Sequence, residues 1–195
     1  MKAFYAAEQK RHDPKMFLSS GAPQPNPEKP ERVERLLAGA KAAGCTIERP
    51  RNHGLGPIAA VHTPEYLDFL QHIFPRWQRI EGASEEVIPN IHPIARNGSY
   101  PASAVGQAGY HMADTSCPIS SETWESALWS AWSAVEAAET VMAGVPAAYA
   151  LCRPPGHHAF ADVAGGFCFI NNSAVAAQTL RRQADRVAIL DVDLH

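Results

Sequence analysis

The stretch Val187-Ala-Ile-Leu-Asp-Val-Asp-Leu194 is continuously apolar apart from two aspartates and rich in β-branched residues. Such a run is typical of a parallel strand covered on both faces, whereas a half-exposed strand alternates apolar and polar positions. It follows a short apolar strand, Ala147–Cys152, and a small-residue helix from Asn172 to Gln183, so the order is that of a βαβ unit. The fold class this predicts is α/β, an open parallel sheet flanked by helices. A central strand of that kind needs a neighbour beyond it, so the sequence reads as truncated after a central strand.

Upstream, Ala3-Phe-Tyr-Ala-Ala7 reads as an edge or first strand, and the proline-rich remainder of residues 1–30 as a long loop. Apolar spacing with Pro30 and Glu31 at the start and Gly44 as a stop predicts a helix over 30–40. A second helix runs from a Thr63 cap and Pro64 through the Leu67, Leu70, Phe74 stripe. Between Pro75 and Ser120 no period holds, which marks a functional or interaction insert. The firmest helix spans Glu122–Met142, and its three tryptophans read as core. With 17 basic against 20 acidic residues, scattered, nothing forms a nucleic-acid footprint. No apolar run approaches the roughly 18 residues of a membrane span and no signal peptide is evident, so the reading is a soluble, cytoplasmic protein. Cys45, Cys117, Cys152 and Cys168 lack metal or disulfide spacing and read as buried thiols.

The chemistry-bearing residues cluster in three motifs. Asp191, Asp193 and His195 alternate, so on a strand they share a face, and a carboxylate with an imidazole suits zinc or another first-row divalent ion. The same residues are also compatible with a capped strand end. His157 and His158 follow the stiff turn Arg153-Pro-Pro-Gly156 and can serve as a general base and acid, with Asp191 fixing the tautomer of one imidazole; a purely structural pair is the rival reading. The stretch Gly165-Gly-Phe-Cys-Phe-Ile-Asn-Asn172 either lets backbone approach a ligand, with Phe167 walling a slot, or simply turns the chain into an Asn-capped helix.

Taken together, these motifs resemble the zinc-dependent deacetylases that include histone deacetylases, acetoin-utilisation proteins and acetylpolyamine amidohydrolases. The likeness is strongest to the bacterial acetylpolyamine amidohydrolases. The weaker similarity of the Pro27-Glu-Lys-Pro-Glu-Arg32 helix start and of His62-Thr-Pro-Glu-Tyr-Leu67 spreads it over most of the chain. The resemblance implies an arginase-like sheet, with residues 1–195 as the N-terminal part of a single deacetylase domain and 75–120 as an insert that forms a homodimer and narrows the entrance. It implies that Asp193 and His195 are metal ligands, His157 and His158 the acid/base pair, and Asp191 the residue that orients His157. Asp191 would also help form a monovalent-cation site, K⁺ being one such ion. Gly166 would accept the substrate amide N–H, Phe167 would line the tunnel, and Arg32 would sit on an inner acetate channel. The family's third metal ligand and its transition-state tyrosine fall outside these residues, and Asp114 stands where a polyamine-binding glutamate is expected.

The implied activity is removal of acetyl from a small acetylated amine by metal-activated water, with zinc and ferrous iron both open. The alternatives are a catalytically inactive fragment or interaction half, and a deacetylase of acetyl-lysine in protein.

Overall fold

The computed structural model describes all of residues 1–195. Three short parallel strands form its sheet: β1 (Lys2–Phe4) lies at the centre, and the hairpin strands β2 (Met16–Ser19) and β3 (Ala22–Pro25) stand apart from it. Helix α1 (Glu31–Ala42) leads into β4 (Thr46–Glu48), which pairs with one side of β1. After the short α2 (Gly56–Ala59) come α3 (Pro64–Trp77), α4 (Ala104–His111) and the long α5 (Thr123–Met142). Strand β5 (Ala148–Ala150) then pairs with the other side of β1, and α6 (Asn172–Leu180) follows. The predicted class, a parallel sheet flanked by helices, is what the chain adopts, and its first strand is central rather than an edge.

Two separate apolar clusters show the layering. On α1, Val33 and Ala40 bury against Ala3 of β1 and Leu151 just after β5. The larger cluster joins Tyr66, Phe69, Leu70 and Ile73 of α3 to Ala127, Ala131 and Val135 of α5 and to Phe169, Ile170 and Val175 around α6. Small residues on α5 let its backbone come close to the sheet, and its buried serines pin the loops beside it. Ser126 Oγ donates to the Glu8 carbonyl at 2.8 Å, and Ser130 Oγ to the Pro154 carbonyl at 2.9 Å.

Several expectations are corrected. The N-terminal loop contains the β2/β3 hairpin, and β4 forms from a stretch too short to show a period. Helix α3 runs past Phe74 through Pro75 to Trp77. The 75–120 insert is not without structure: Ser103 caps α4 by accepting the Gly106 N–H, and Val87, Ala108, Met112, Cys117 and Ile119 enter the main core. All four cysteines are free, with Cys117 and Cys168 buried and Cys45 and Cys152 partly so.

The run 187–194 does not form a strand. Leu190, Val192 and Leu194 lie exposed, and no strand of the chain sits on the far side of the run. Its aspartates satisfy the backbone instead, Asp191 Oδ1 accepting the Asp193 N–H at 3.0 Å and Asp193 Oδ1 the His195 N–H at 2.9 Å. Local turns of this kind compete with a ladder for the same backbone groups. Between the run and the free edge of β5 lies an open groove of about 780 Å³, walled by Leu36 of α1 on one side and Ala134, Ala138 and Val141 of α5 on the other.

His12 is completely buried, with Nδ1 2.9 Å from Thr123 Oγ1 and its ring edge-on to Phe169. Burial pushes its pKa down to about 3, with Arg153 adding to the effect, and burial lowers His62 and His111 in the same direction. An unfolded histidine takes up its proton near pH 6.5, so below that the unfolded chain binds more protons than the folded one. Stability should therefore be full above about pH 6.5 and decline as pH falls from there toward 3. Thermal melts between pH 7.5 and 5 should show that decline, and a His12→Gln variant should show a shallower one.

Candidate active site

The turn carrying the histidine pair is built from buried polar contacts. Arg153 Nε donates to Glu28 Oε1 at 3.1 Å, and its Nη2 lies 2.9 Å from Glu28 Oε2, both side chains being buried. Arg153 Nη1 donates to the Gln9 carbonyl at 2.8 Å, while the Arg153 N–H donates to Gln9 Oε1 at 2.7 Å. Gln9 Nε2 in turn donates to Ser133 Oγ of α5. Gly156 packs directly against the backbone of Ile170 and Asn172, which leaves no room for a Cβ. The segment from Arg153 to Gly156 is thus held by the N-terminal segment, α5 and the start of α6.

His157 and His158 emerge from it with ring centroids 4.1 Å apart and both partly exposed. His157 Nδ1 lies 2.8 Å from Asp191 Oδ2. A carboxylate can only accept there, so a proton sits on Nδ1, and in the neutral ring it is Nε2 that accepts. Asp191 is held below the usual carboxylate range, first by the Asp193 N–H and then by His157.

The glycine loop closes on the second histidine. Gly166 has φ +52°, and a Cβ there would sit 2.5 Å from His158 Cδ2. Phe167 follows with φ +66°. The Gly166 N–H donates to Asp114 Oδ2 at 2.8 Å, and Cys168 Sγ lies 3.3 Å from the Gly166 carbonyl. Burial pushes the Cys168 thiol up to about 12, so it remains a donor and leaves the carbonyl one further lone pair. Asn171 ends the loop by capping α6 through the Ala174 N–H, as its sequence position predicts. The Asn171 N–H donates to Nε2 of buried His62, and the Tyr66 hydroxyl donates to the Phe169 carbonyl at 2.7 Å.

Asp191, His157, His158 and Gly166 therefore form one continuous line of contacts, with Phe167 beyond Gly166. Asp193 and His195 pair with each other, Nδ1 lying 3.1 Å from Oδ1, and His195 is largely exposed. One carboxylate and one imidazole suit a first-row divalent ion, and they supply two of the roughly three protein ligands of a catalytic zinc. Arg32 is exposed and borders the groove with His157, Asp191 and Asp193, lying 3.9 Å from Glu28. His53, Glu136 and Glu139 also converge, but Arg51 is ion-paired to both carboxylates, so a guanidinium already fills that cluster's need for a cation.

Residues 26–195 match the histone deacetylase domain family model. The chain belongs to the histone deacetylase domain family. Curated relatives from this family include the acetylpolyamine amidohydrolase of Burkholderia pseudomallei (strain 1710b), 45% identical over 196 residues, and that of Mycoplana ramosa, 42% identical over 198 residues. Each alignment takes in 100% of this chain and 57% or 58% of the relative, so the chain spans little more than half their length. The crystal structure of acetylpolyamine aminohydrolase from B. pseudomallei superposes with a TM-score of 0.90 at 44% identity, over 94% of this chain and 53% of that one. The HDA15 HD domain, at 22% identity and a TM-score of 0.66, shares the fold.

Sequence reasoning missed Arg153 as a buried anchor, Glu28 and Gln9 as its partners, and His62 as a support of the glycine loop. Only the Arg-Pro-Pro-Gly context and the polar residues left over between helices pointed to them. Asp114, which stands where a polyamine-binding glutamate is expected, accepts the N–H groups of Ser116 through Oδ1 and Gly166 through Oδ2.

Two stability predictions follow from this geometry. Replacing Arg153 alone by Met leaves buried Glu28 facing only the more distant, exposed Arg32, and should cost about 3–5 kcal/mol in urea denaturation, whereas Arg153→Met with Glu28→Leu should recover much of the loss. Gly166→Ala must fit a Cβ against His158 at positive φ and should cost about 1–3 kcal/mol. Gly21→Ala, with φ +79° but open space around it, should cost less in the same titration.

Proposed function

We propose that this chain is the histidine-bearing part of a metal-dependent amide hydrolase that removes acetyl from small acetylated amines, the acetylpolyamines among them. The observation that supports the reading most directly is the Asp191–His157–His158–Gly166 line of contacts within a member of the histone deacetylase domain family. The likeness to acetylpolyamine amidohydrolases along the entire chain favours a small amine over acetyl-lysine in protein.

Asp193 and His195 would hold the divalent ion, zinc or ferrous iron. When bound, it supplies Lewis acidity toward an acyl oxygen and a more acidic water. With Nδ1–H directed at Asp191, His157 offers Nε2 as the proton acceptor, and the Asp191 carboxylate stabilises the imidazolium that results. His158, against Gly166, is placed to return a proton to the departing amine nitrogen. The Gly166 carbonyl, with its remaining lone pair, accepts the amide N–H, and Phe167 lines the path to it. Arg32 borders the groove through which acetate would leave, and backbone oxygens near Asp191 would hold a monovalent cation such as K⁺.

We also read 75–120 as an insert that narrows the entrance and forms a homodimer within a single deacetylase domain. The exposure of Ile91, Ile94 and Tyr100 on it supports that assignment.

The experiment is hydrolysis of N-acetylputrescine by a zinc-loaded protein that carries these residues together with a third metal ligand, with metal content measured alongside and an acetyl-lysine peptide as comparison. Activity should favour N-acetylputrescine, and His157→Ala or Asp191→Asn should lower kcat by about 10²- to 10⁴-fold. Asp193→Ala and His195→Ala should each lower the zinc bound per chain. Retained zinc in both of these variants would overturn the ligand assignment, and faster turnover of the peptide would overturn the substrate assignment.

A further inference from the structure

The β2/β3 hairpin is joined to the site through one dipeptide. Thr115 Oγ1 donates to the Leu18 carbonyl at 2.9 Å, and the Leu18 N–H donates back to the Thr115 carbonyl at 3.3 Å. Next to it, Asp114 Oδ2 accepts the Gly166 N–H, so adjacent residues of one loop grip the hairpin on one side and the glycine loop on the other. The hairpin is also held at its base, where the Lys15 N–H donates to Glu86 Oε1 at 2.6 Å and the Asn26 N–H donates to the Lys15 carbonyl at 2.8 Å. The result is a pairing of residues 150 positions apart: the Phe17 and Phe167 rings lie 5.9 Å apart, tilted by 55°, and both stay partly exposed.

At that distance the rings touch each other and leave no gap between them, so they present one aromatic wall. The Asp114 carboxylate beside the glycine loop is half-buried, with each oxygen accepting a backbone N–H. What the wall offers a ligand is apolar surface.

We propose that Phe17 is a specificity-determining residue, which with Phe167 forms the wall against which the methylene segment next to the acylated nitrogen of the substrate lies. This rests on the reading that Phe167 lines the substrate path. The mouth then recognises the length of uncharged chain ahead of any distal ammonium group.

The probes are N-butylacetamide, which is uncharged, and N-acetylputrescine, which has the same four-carbon segment and a terminal ammonium. Their binding to the zinc-loaded full chain is measured by saturation-transfer NMR, which needs no turnover, and where turnover is present KM and kcat are separated. Wild type should bind both within about threefold of each other. Phe17→Ala should weaken both about 5- to 20-fold, the size expected for loss of one aromatic contact, and raise KM by more than it lowers kcat. Phe17→Leu should recover part of the loss. Thr115→Val, which leaves Phe17 in place but removes one of the two hydrogen bonds that join Thr115 to Leu18, should weaken both probes by less than Phe17→Ala does. Thermal melts identify a variant that has unfolded, and the Leu variant then decides.

If Phe17→Ala and Phe17→Leu leave both affinities within twofold while Phe167→Ala weakens them, the wall is Phe167 alone and the proposal is overturned. It is also overturned if N-acetylputrescine binds tenfold more tightly than N-butylacetamide in wild type and in Phe17→Ala alike, since charge would then be what the mouth reads. No effect of Phe167→Ala would remove the reading of the path itself.

Discussion

The pairing of Arg153 with Glu28 is the contact on which the rest of the architecture depends. Burial alone raises Glu28 and lowers Arg153, each toward its neutral form, and only the opposite charge beside each offsets that cost. The guanidinium is planar and has five donors, so after meeting the carboxylate it still reaches the Gln9 carbonyl. One side chain thereby fixes the N-terminal segment, the approach to α1 and the turn before His157 at a common point. The serines of α5 complete the frame by donating hydroxyls to the Glu8 and Pro154 carbonyls of the neighbouring segments.

The site inherits its geometry from that frame. A histidine pair on a free loop would sample many orientations, and its imidazoles would not stay aligned with a particular carboxylate. Here the turn before His157 is pressed against α6, and Gly166 is pressed against His158 so closely that only a glycine fits. The close approach holds the Gly166 backbone against the His158 ring and fixes both. On the opposite side, Asp191 and Asp193 hold backbone N–H groups of their own segment, which is exposed, and their geometry is local.

The groove beside β5 and the exposed run 187–194 belong together physically. The edge of β5 presents unpaired backbone groups, and the run presents apolar side chains with no covering layer. The β-propensity of Val187, Ile189 and Val192 is real, but it is a weak preference, and the Asx turns at Asp191 and Asp193 satisfy the same backbone locally.

What the sequence determined by itself were the features governed by local chemistry. The Thr63 and Asn171 caps and the helical stripes of α1, α3 and α5 all follow from side-chain spacing and end-capping groups within a few residues of one another. The three motifs also marked His157, His158, Asp191 and Gly166 as candidates. Only the tertiary structure decided which polar residues are buried partners, that Asp114 serves the Gly166 N–H, and that Phe17 lies against Phe167. Those pairings join positions up to 150 residues apart, and at such separations a sequence pattern shows which groups need a partner but not which partner the packing of the helices will bring to them.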